Sequence, residues 1–387
     1  MGPAVGDSLL GLVSRPSGSI GVLGRAALLV CTCTVMGQGR AQAQTAEPAD
    51  SLPAKGSSWA LLPSVYYTPE TRLAAGFALQ GFFKLPGNSP TTRSSNILAA
   101  LIYTQNKQVI ALVRPRLYLQ DRQYELSGSL EYFKYPDKFY GIGNDTPDSA
   151  EELYTTGTLR LYFEVLGRVR NDFYFGAHLE IIKQKLLETL PGGALAAGGV
   201  VGSAGGWAPA LGFQAVWDSR DNINYPATGS YRRIDATTSQ GVWGSDYSYN
   251  RFRIDARKFI PLARSHVLAV RGYAAVASGG APFTQLPRLG GSNLMRGFFT
   301  GRYRDHALIA AQVEYRLPLV WRLGAVAFGS VGQVAPSVGL LGLDRFRFAG
   351  GGGLRFALVP SERVNIRMDL AMAGSSSGFY LALGEAF

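Results

Sequence analysis

Soft-ligand and nucleophile chemistry is scarce in this chain. Its 387 residues hold two cysteines, Cys31 and Cys33, and three histidines, His178, His266 and His306. Both cysteines lie in an apolar run, Ala26 to Val35, that follows Arg15 and Arg25 and precedes Ala41-Gln42-Ala43. Basic, apolar and small residues in that order predict a signal peptide over 1–43, cleaved after Ala43. A mature chain starting there has no thiol, which excludes disulfides and thiolate metal sites. No stretch reaches the roughly 18 apolar residues of a spanning helix. The histidines are dispersed, and His178 shares the polar register of Glu180, so no Ser–His pair suggests a lipase. Gly350-Gly351-Gly352-Gly353 lacks the lysine and helix of a phosphate cradle. Asp145, Asp148, Glu151 and Glu152 match no calcium-loop spacing. The expectation is a protein that is not an enzyme and has no metal and no cofactor.

Period-2 alternation dominates what remains. Arg363, Asn365, Arg367 and Asp369 alternate with Val364, Ile366, Met368 and Leu370. Arg251, Arg253, Asp255 and Arg257 alternate with Phe252, Ile254 and Ala256, and Gln312, Glu314 and Arg316 with Val313, Tyr315 and Leu317. Each segment is a strand with one wet and one oily face. Sixteen strands are expected, near 58–67, 71–84, 93–104, 108–120, 122–135, 152–165, 171–185, 206–217, 229–240, 246–261, 265–277, 306–318, 323–333, 347–359, 363–373 and 377–387. Links after the fourth, tenth, twelfth and fourteenth are short, at Asp121-Arg122, Ala263-Arg264, Val320-Trp321 and Ser361-Glu362. Links after the fifth, seventh, eleventh and thirteenth are long or Gly-rich. An even strand number with short turns at one end and long loops at the other predicts an all-β, antiparallel transmembrane β-barrel over 58–387, charged inside and apolar toward lipid. Residues 44–57 read as a linker. Removing three arginines and one aspartate with the signal leaves about +9 of the formal +11. The expected partners are outer-membrane lipid and lipopolysaccharide, with no nucleic acid.

Two further features stand out. Phe379, Leu381, Leu383 and Phe387 share one register of the last strand, with Glu385 interrupting it, and resemble the terminal signal by which bacterial barrels are recognised for assembly. The link after the eleventh strand, Pro282 to Arg304, is far longer than a barrel needs and carries Met295-Arg296-Gly297-Phe298.

Four motifs in order then suggest a family. Asp218-Ser219-Arg220-Asp221-Asn222, followed by Pro226 and Gly229, resembles the D-x-R-[DN]…P…G signature of the outer-membrane assembly factor superfamily, the BamA/TamA-like or bacterial surface antigen barrels. Met295-Arg296-Gly297-Phe298 is similar to its [VI]-R-G-[FY] motif, and Glu314-Tyr315-Arg316-Leu317-Pro318 to the segment after it. Phe139-Tyr140-Gly141-Ile142-Gly143-Asn144-Asp145 resembles a phrase of its short, domain-poor members.

The resemblance implies a sixteen-stranded barrel whose long loop between strands eleven and twelve folds into the lumen, with Arg296 held by acids on strands twelve and thirteen. Glu314, on the inward register, is the expected partner, since a guanidinium fork binds a carboxylate bidentately. Gly297 would permit a tight turn, and Phe298 would pack on the wall. Ser330, in Phe328-Gly329-Ser330-Val331-Gly332, stands where relatives carry an acid, and Asp369 or Asp218 is a candidate replacement. Residues 44–57 are too few for the substrate-docking modules of about 75 residues that assembly factors place before the barrel. A separate periplasmic partner protein is therefore expected to supply them. The resemblance implies a bacterial outer-membrane location and assistance in inserting or translocating proteins or lipids. A passive pore and a surface structural or antigen barrel are the alternatives.

Overall fold

The structure is a computed structural model that describes residues 58–89, 92, 94–360 and 363–387. The signal peptide expected over 1–43, the linker over 44–57 and the turn at Ser361-Glu362 lie outside the described residues.

The strands are β1 (Ser58–Thr68), β2 (Arg72–Phe83), β3 (Ser95–Thr104), β4 (Val109–Leu119), β5 (Tyr124–Phe139), β6 (Glu152–Arg170), β7 (Phe173–Thr189), β8 (Gly206–Asp218), β9 (Gly229–Ser239), β10 (Tyr249–Pro261), β11 (Val267–Gly279), β12 (Arg288–Leu289), β13 (Tyr303–Arg304), β14 (Ala307–Pro318), β15 (Leu323–Ala335), β16 (Arg347–Val359), β17 (Val364–Ala373) and β18 (Ser376–Leu383). All but β12 and β13 pair antiparallel with their neighbours into a closed sixteen-stranded barrel, in which β14 follows β11 and β18 returns to β1. The strands expected as eleventh and twelfth are thus β11 and β14. Between them, β12 and β13 form a separate two-stranded ribbon inside the long loop.

Alternation sets the two faces. On β17, Arg367, Asp369 and Ala371 are buried while Leu370 and Met372 are exposed. The exposed set continues round the barrel through Phe77, Leu101, Phe213 and Phe348, an apolar exterior suited to hydrocarbon. The inward face is not uniformly charged. On β1 to β5 it includes an apolar cluster with Tyr66, Leu98, Ile102, Ile110, Leu112 and Phe133, while the ion pairs run from β4 to β17.

The ends of β5, β6, β7 and β18 depart from expectation by four or five residues, at Phe139, Arg170, Thr189 and Leu383 against 135, 165, 185 and 387. β5 runs through Pro136 to Phe139, because β4 ends opposite Lys134 and leaves that side of Pro136 without a ladder that would need its N–H. At the other end of the chain β18 stops at Leu383, and Gly384 takes φ +74°. Phe379 stays exposed on the outer face, Leu381 faces Tyr67 across the β1 junction, and Leu383 is buried. Phe387, expected on the same face, instead turns inward and packs with Phe259, Val267 and Ala269.

Candidate functional site

The long loop descends into the lumen and is fastened there by charge. Met295 and Phe298 pack with Leu289, Tyr303, Leu308, Val334 and Ala373 against the inner faces of β14 to β17. That packing carries Arg296 to the barrel wall, where it is fully buried. Its Nη2 donates to Glu314 Oε2 at 2.8 Å and its Nη1 to Asp369 Oδ2 at 2.5 Å. The guanidinium lies 3.4 Å over the Phe328 ring, a cation–π contact strengthened by exclusion of water.

Further groups complete the charge array. Arg355 reaches Asp369 at 2.6 Å and Glu385 at 2.7 Å. Arg316 donates to Glu314 at 3.1 Å and to the main-chain oxygens of Pro226 and Phe387. Arg367 donates to Asn293 Oδ1 at 3.4 Å, and Asn293 O also accepts from Arg271 and Gln312. Buried pairs of this kind contribute little net stability relative to an apolar wall, but removing one member strands its partner at a cost of about 3–5 kcal/mol. The array therefore fixes where the loop sits more than it stabilises the sheet.

The other expected residues are placed as follows. Asp218 and Arg220 pair with each other in a fork, at 2.9 and 2.8 Å, under the Tyr231 ring, so Asp218 does not reach Arg296. Gly229 has φ +92°, and a Cβ there would stand 2.1 Å from Ser219 O. Pro226 joins the array through Arg316. Ser330 does not touch the loop arginine, and its hydroxyl donates to Ala349 O at 3.3 Å. Gly297 has φ +106° and lies so close to β17 that a Cβ would approach Ala373 Cβ to 2.9 Å. His178 bonds Thr237 on the inner wall and stacks on Tyr162.

Sequence reasoning gave no role to Arg355, Glu385, Tyr380, Thr300 or Glu70. Arg355 shares the inward parity of its strand, which marks it as lumenal, but parity names no partner. The phrase at Phe139 to Asp145 also acquires a place. Gly143 N donates to Arg304 O at 2.8 Å, Asn144 accepts from Val334 N at 3.2 Å, and Arg347 donates to Asn144 O at 2.7 Å. The β5–β6 loop thus crosses to β15 and β16 beside the β12–β13 ribbon. Phe139, Tyr154, Leu195 and Phe283 form a buried cluster at the same end.

The sequence from 96 to 387 matches the Omp85 superfamily domain. The chain belongs to the Omp85 superfamily. Among curated proteins none matches it by sequence. Solved structures share its fold at low identity. BamA from Haemophilus ducreyi lacking POTRA domains 1–3 is 13% identical at TM-score 0.60, over 85% of this chain and 70% of that one. CdiB from Escherichia coli is 9% identical at TM-score 0.57, over 86% and 63%. CdiB from Acinetobacter baumannii is 11% identical at TM-score 0.53, over 84% and 59%. This Omp85 chain thus spans less than two thirds of either CdiB. As a member of the superfamily it is a bacterial outer-membrane β-barrel, and its long-loop end is the outer one by the usual asymmetry of such barrels.

Proposed function

We propose that this Omp85 barrel assists polypeptide segments into or across the outer membrane at the junction of β1 and β18. The observation that carries the reading is the weakness of that junction. Among the described residues β1 and β18 share one register pair, Tyr67 opposite Leu381, with the Tyr67 and Phe379 rings 5.6 Å apart. On its other side β1 pairs with β2 continuously from Ser58–Phe82 to Thr68–Arg72. A short ladder costs little to open, and an opened strand edge offers main-chain donors and acceptors to an incoming β-segment. The same groups would be intolerable in lipid unless a new strand satisfied them. BamA and CdiB, whose barrels share the fold, favour a polypeptide over a lipid cargo by family analogy. A separate periplasmic protein presenting that cargo is part of the proposal. The loop fastened in the lumen argues against a passive pore.

The test is an insertion assay. The refolded barrel in liposomes is mixed with an unfolded outer-membrane protein, and folding of the client is followed by its resistance to protease. Wild type is expected to accelerate folding, and a disulfide between Tyr67→Cys and Leu381→Cys is expected to abolish the acceleration until reduced. Full activity in the locked barrel would sink the seam as the route.

A further inference from the structure

The tip of the inner loop lies across the weak junction and grips both of its sides. On one side, Thr300 donates twice to Glu70 Oε1 in the β1–β2 turn, through its main-chain N at 2.9 Å and its hydroxyl at 2.8 Å. On the other, Gly297 N donates to the Tyr380 hydroxyl of β18 at 2.9 Å, and Arg296 holds Asp369 of β17 at 2.5 Å. Glu70 and Tyr380 are buried, so water does not compete freely for these bonds. Glu70 is itself set in place, since its main-chain O accepts from Asn106 and Gln108. A few residues of one loop thus bond the β1–β2 turn on one side and β18 on the other, at a junction with one register pair of its own among the described residues.

We propose that the segment Arg296 to Thr300 is a clip across the β1–β18 junction, with Glu70 as its β1-side catch and Tyr380 and Asp369 as its β18-side anchor. The two sides differ in kind. The β18 side is built from packing and ion pairs around Met295, Arg296 and Phe298, while the β1–β2 turn holds the segment through one carboxylate oxygen, Glu70 Oε1. Opening therefore releases Thr300 from Glu70 first, and the loop stays with β17 and β18 as β1 moves away. Glu70, Thr300 and Tyr380 act as positioning residues that set how often the junction opens.

The test uses the full barrel refolded in liposomes, with Cys31 and Cys33 replaced by serine and spin labels at Leu61→Cys on β1 and Phe379→Cys on β18, both exposed on the outer face. Glu70→Ala, which removes the acceptor of both Thr300 bonds, and Tyr380→Phe, which removes the acceptor of the Gly297 bond, are each expected to raise the share of long label distances at least about fivefold, as the loss of one such bond would. Thr300→Val keeps the main-chain bond and is expected to fall between these and wild type. Ser330→Ala, off the clip, is expected to match wild type. Folding of each variant is checked by its heat-dependent electrophoretic shift. Folded Glu70→Ala and Tyr380→Phe barrels with the wild-type distribution overturn the proposal. If Glu70→Ala does not fold, a wild-type distribution in Thr300→Val overturns it instead. The proposal relies on the seam reading only for the purpose of opening. A normal clip response with no client insertion removes that purpose, whereas normal insertion with unchanged distances removes the clip.

Discussion

Arg296 is joined to Asp369 at 2.5 Å inside the barrel, on a strand two beyond the one that carries Ser330. Ser330 lies on β15 and Asp369 on β17, and the guanidinium sits 3.4 Å over the Phe328 ring of β15. Glu314 remains the other carboxylate at 2.8 Å. The consequence is that the loop is tied to a strand near the β1–β18 junction rather than only to β14, the strand into which it runs.

Arg296→Ala is expected to lower the stability of the folded barrel sharply. The change leaves Glu314 and Asp369 buried, although Arg316 and Arg355 still face them, so a loss toward the lower end of about 3–5 kcal/mol is expected. Urea unfolding in liposomes, followed by tryptophan fluorescence, measures it. Unchanged stability and yield would mean that Arg296 contributes nothing where it lies. Arg296→Lys should recover part of the loss, because an ammonium on Phe328 keeps the charge but not the two-pronged reach.

The relocation of the second acid can be measured directly. A double-mutant cycle of Arg296→Ala with Asp369→Asn should give a coupling of about 1–3 kcal/mol, and the same cycle with Ser330→Ala should give about zero. Equal couplings would show that the Asp369 contact is incidental.

How far these features were legible depends on the range of the interaction that makes them. The sixteen strands follow from alternation within each segment, so Arg363 to Met372 or Arg251 to Arg257 needs no distant partner to be read. The β12–β13 ribbon could not be read, because strands of two residues have no period and their Leu289 and Tyr303 pack in one cluster with Val334 and Ala310 of other strands. Glu314 was named as a partner of Arg296 from parity, yet parity leaves Asp369 and Asp218 equal candidates, and only closure of the barrel separates them. Phe387 was misplaced because period 2 was carried through Gly384, where the backbone turns. Glu70 lies in a tight turn some 230 residues from Thr300, and no local pattern joins the two.

Gly229→Ala should impair folding. The position combines φ +92° with a carbonyl 2.1 Å from the added Cβ, so the β8–β9 link cannot close as it does now. A loss of about 1–3 kcal/mol is expected for the strained conformation alone. Folding yield by heat-dependent mobility reads it, with Gly199→Ala, which has open space around it, as the comparison. Equal yields would show that the link adapts without cost.

The β8–β9 link should loosen in acid. Burial raises the Asp221 carboxyl, but its bonds from Thr228 N, Arg363 and Ala227 N outweigh that and hold it below the ordinary carboxylate range. A carboxylate depressed in the folded state contributes stability that is present above its unfolded value, about 3.9, and is lost as pH falls through the folded value. Wild type should therefore be more stable than Asp221→Asn near pH 6, and the difference should shrink below about pH 4. A difference that grew on acidification would contradict the bonding seen at this link.

Conductance separates a plugged barrel from a simple pore. In wild type the segment from Pro282 to Arg304 occupies the lumen, fixed at Arg296 on the wall, at Asn293 by Arg271, Gln312 and Arg367, and at Arg302 by Asp148 and Thr146. Ions would have to pass a loop whose charged groups are already bonded to the wall, so wild type in planar bilayers should carry little steady current. Deletion of 284–302 removes Arg296 and Arg302 with the loop and leaves the inward charges of β10, β11, β14 and β17 lining an open channel. That variant should conduct strongly and steadily. Arg296→Ala, which keeps the loop but frees its wall contact, should give intermittent openings between the two. Equal, stable currents in wild type and deletion would favour a porin-like barrel, and would leave the loop motif as ancestry without a present mechanism.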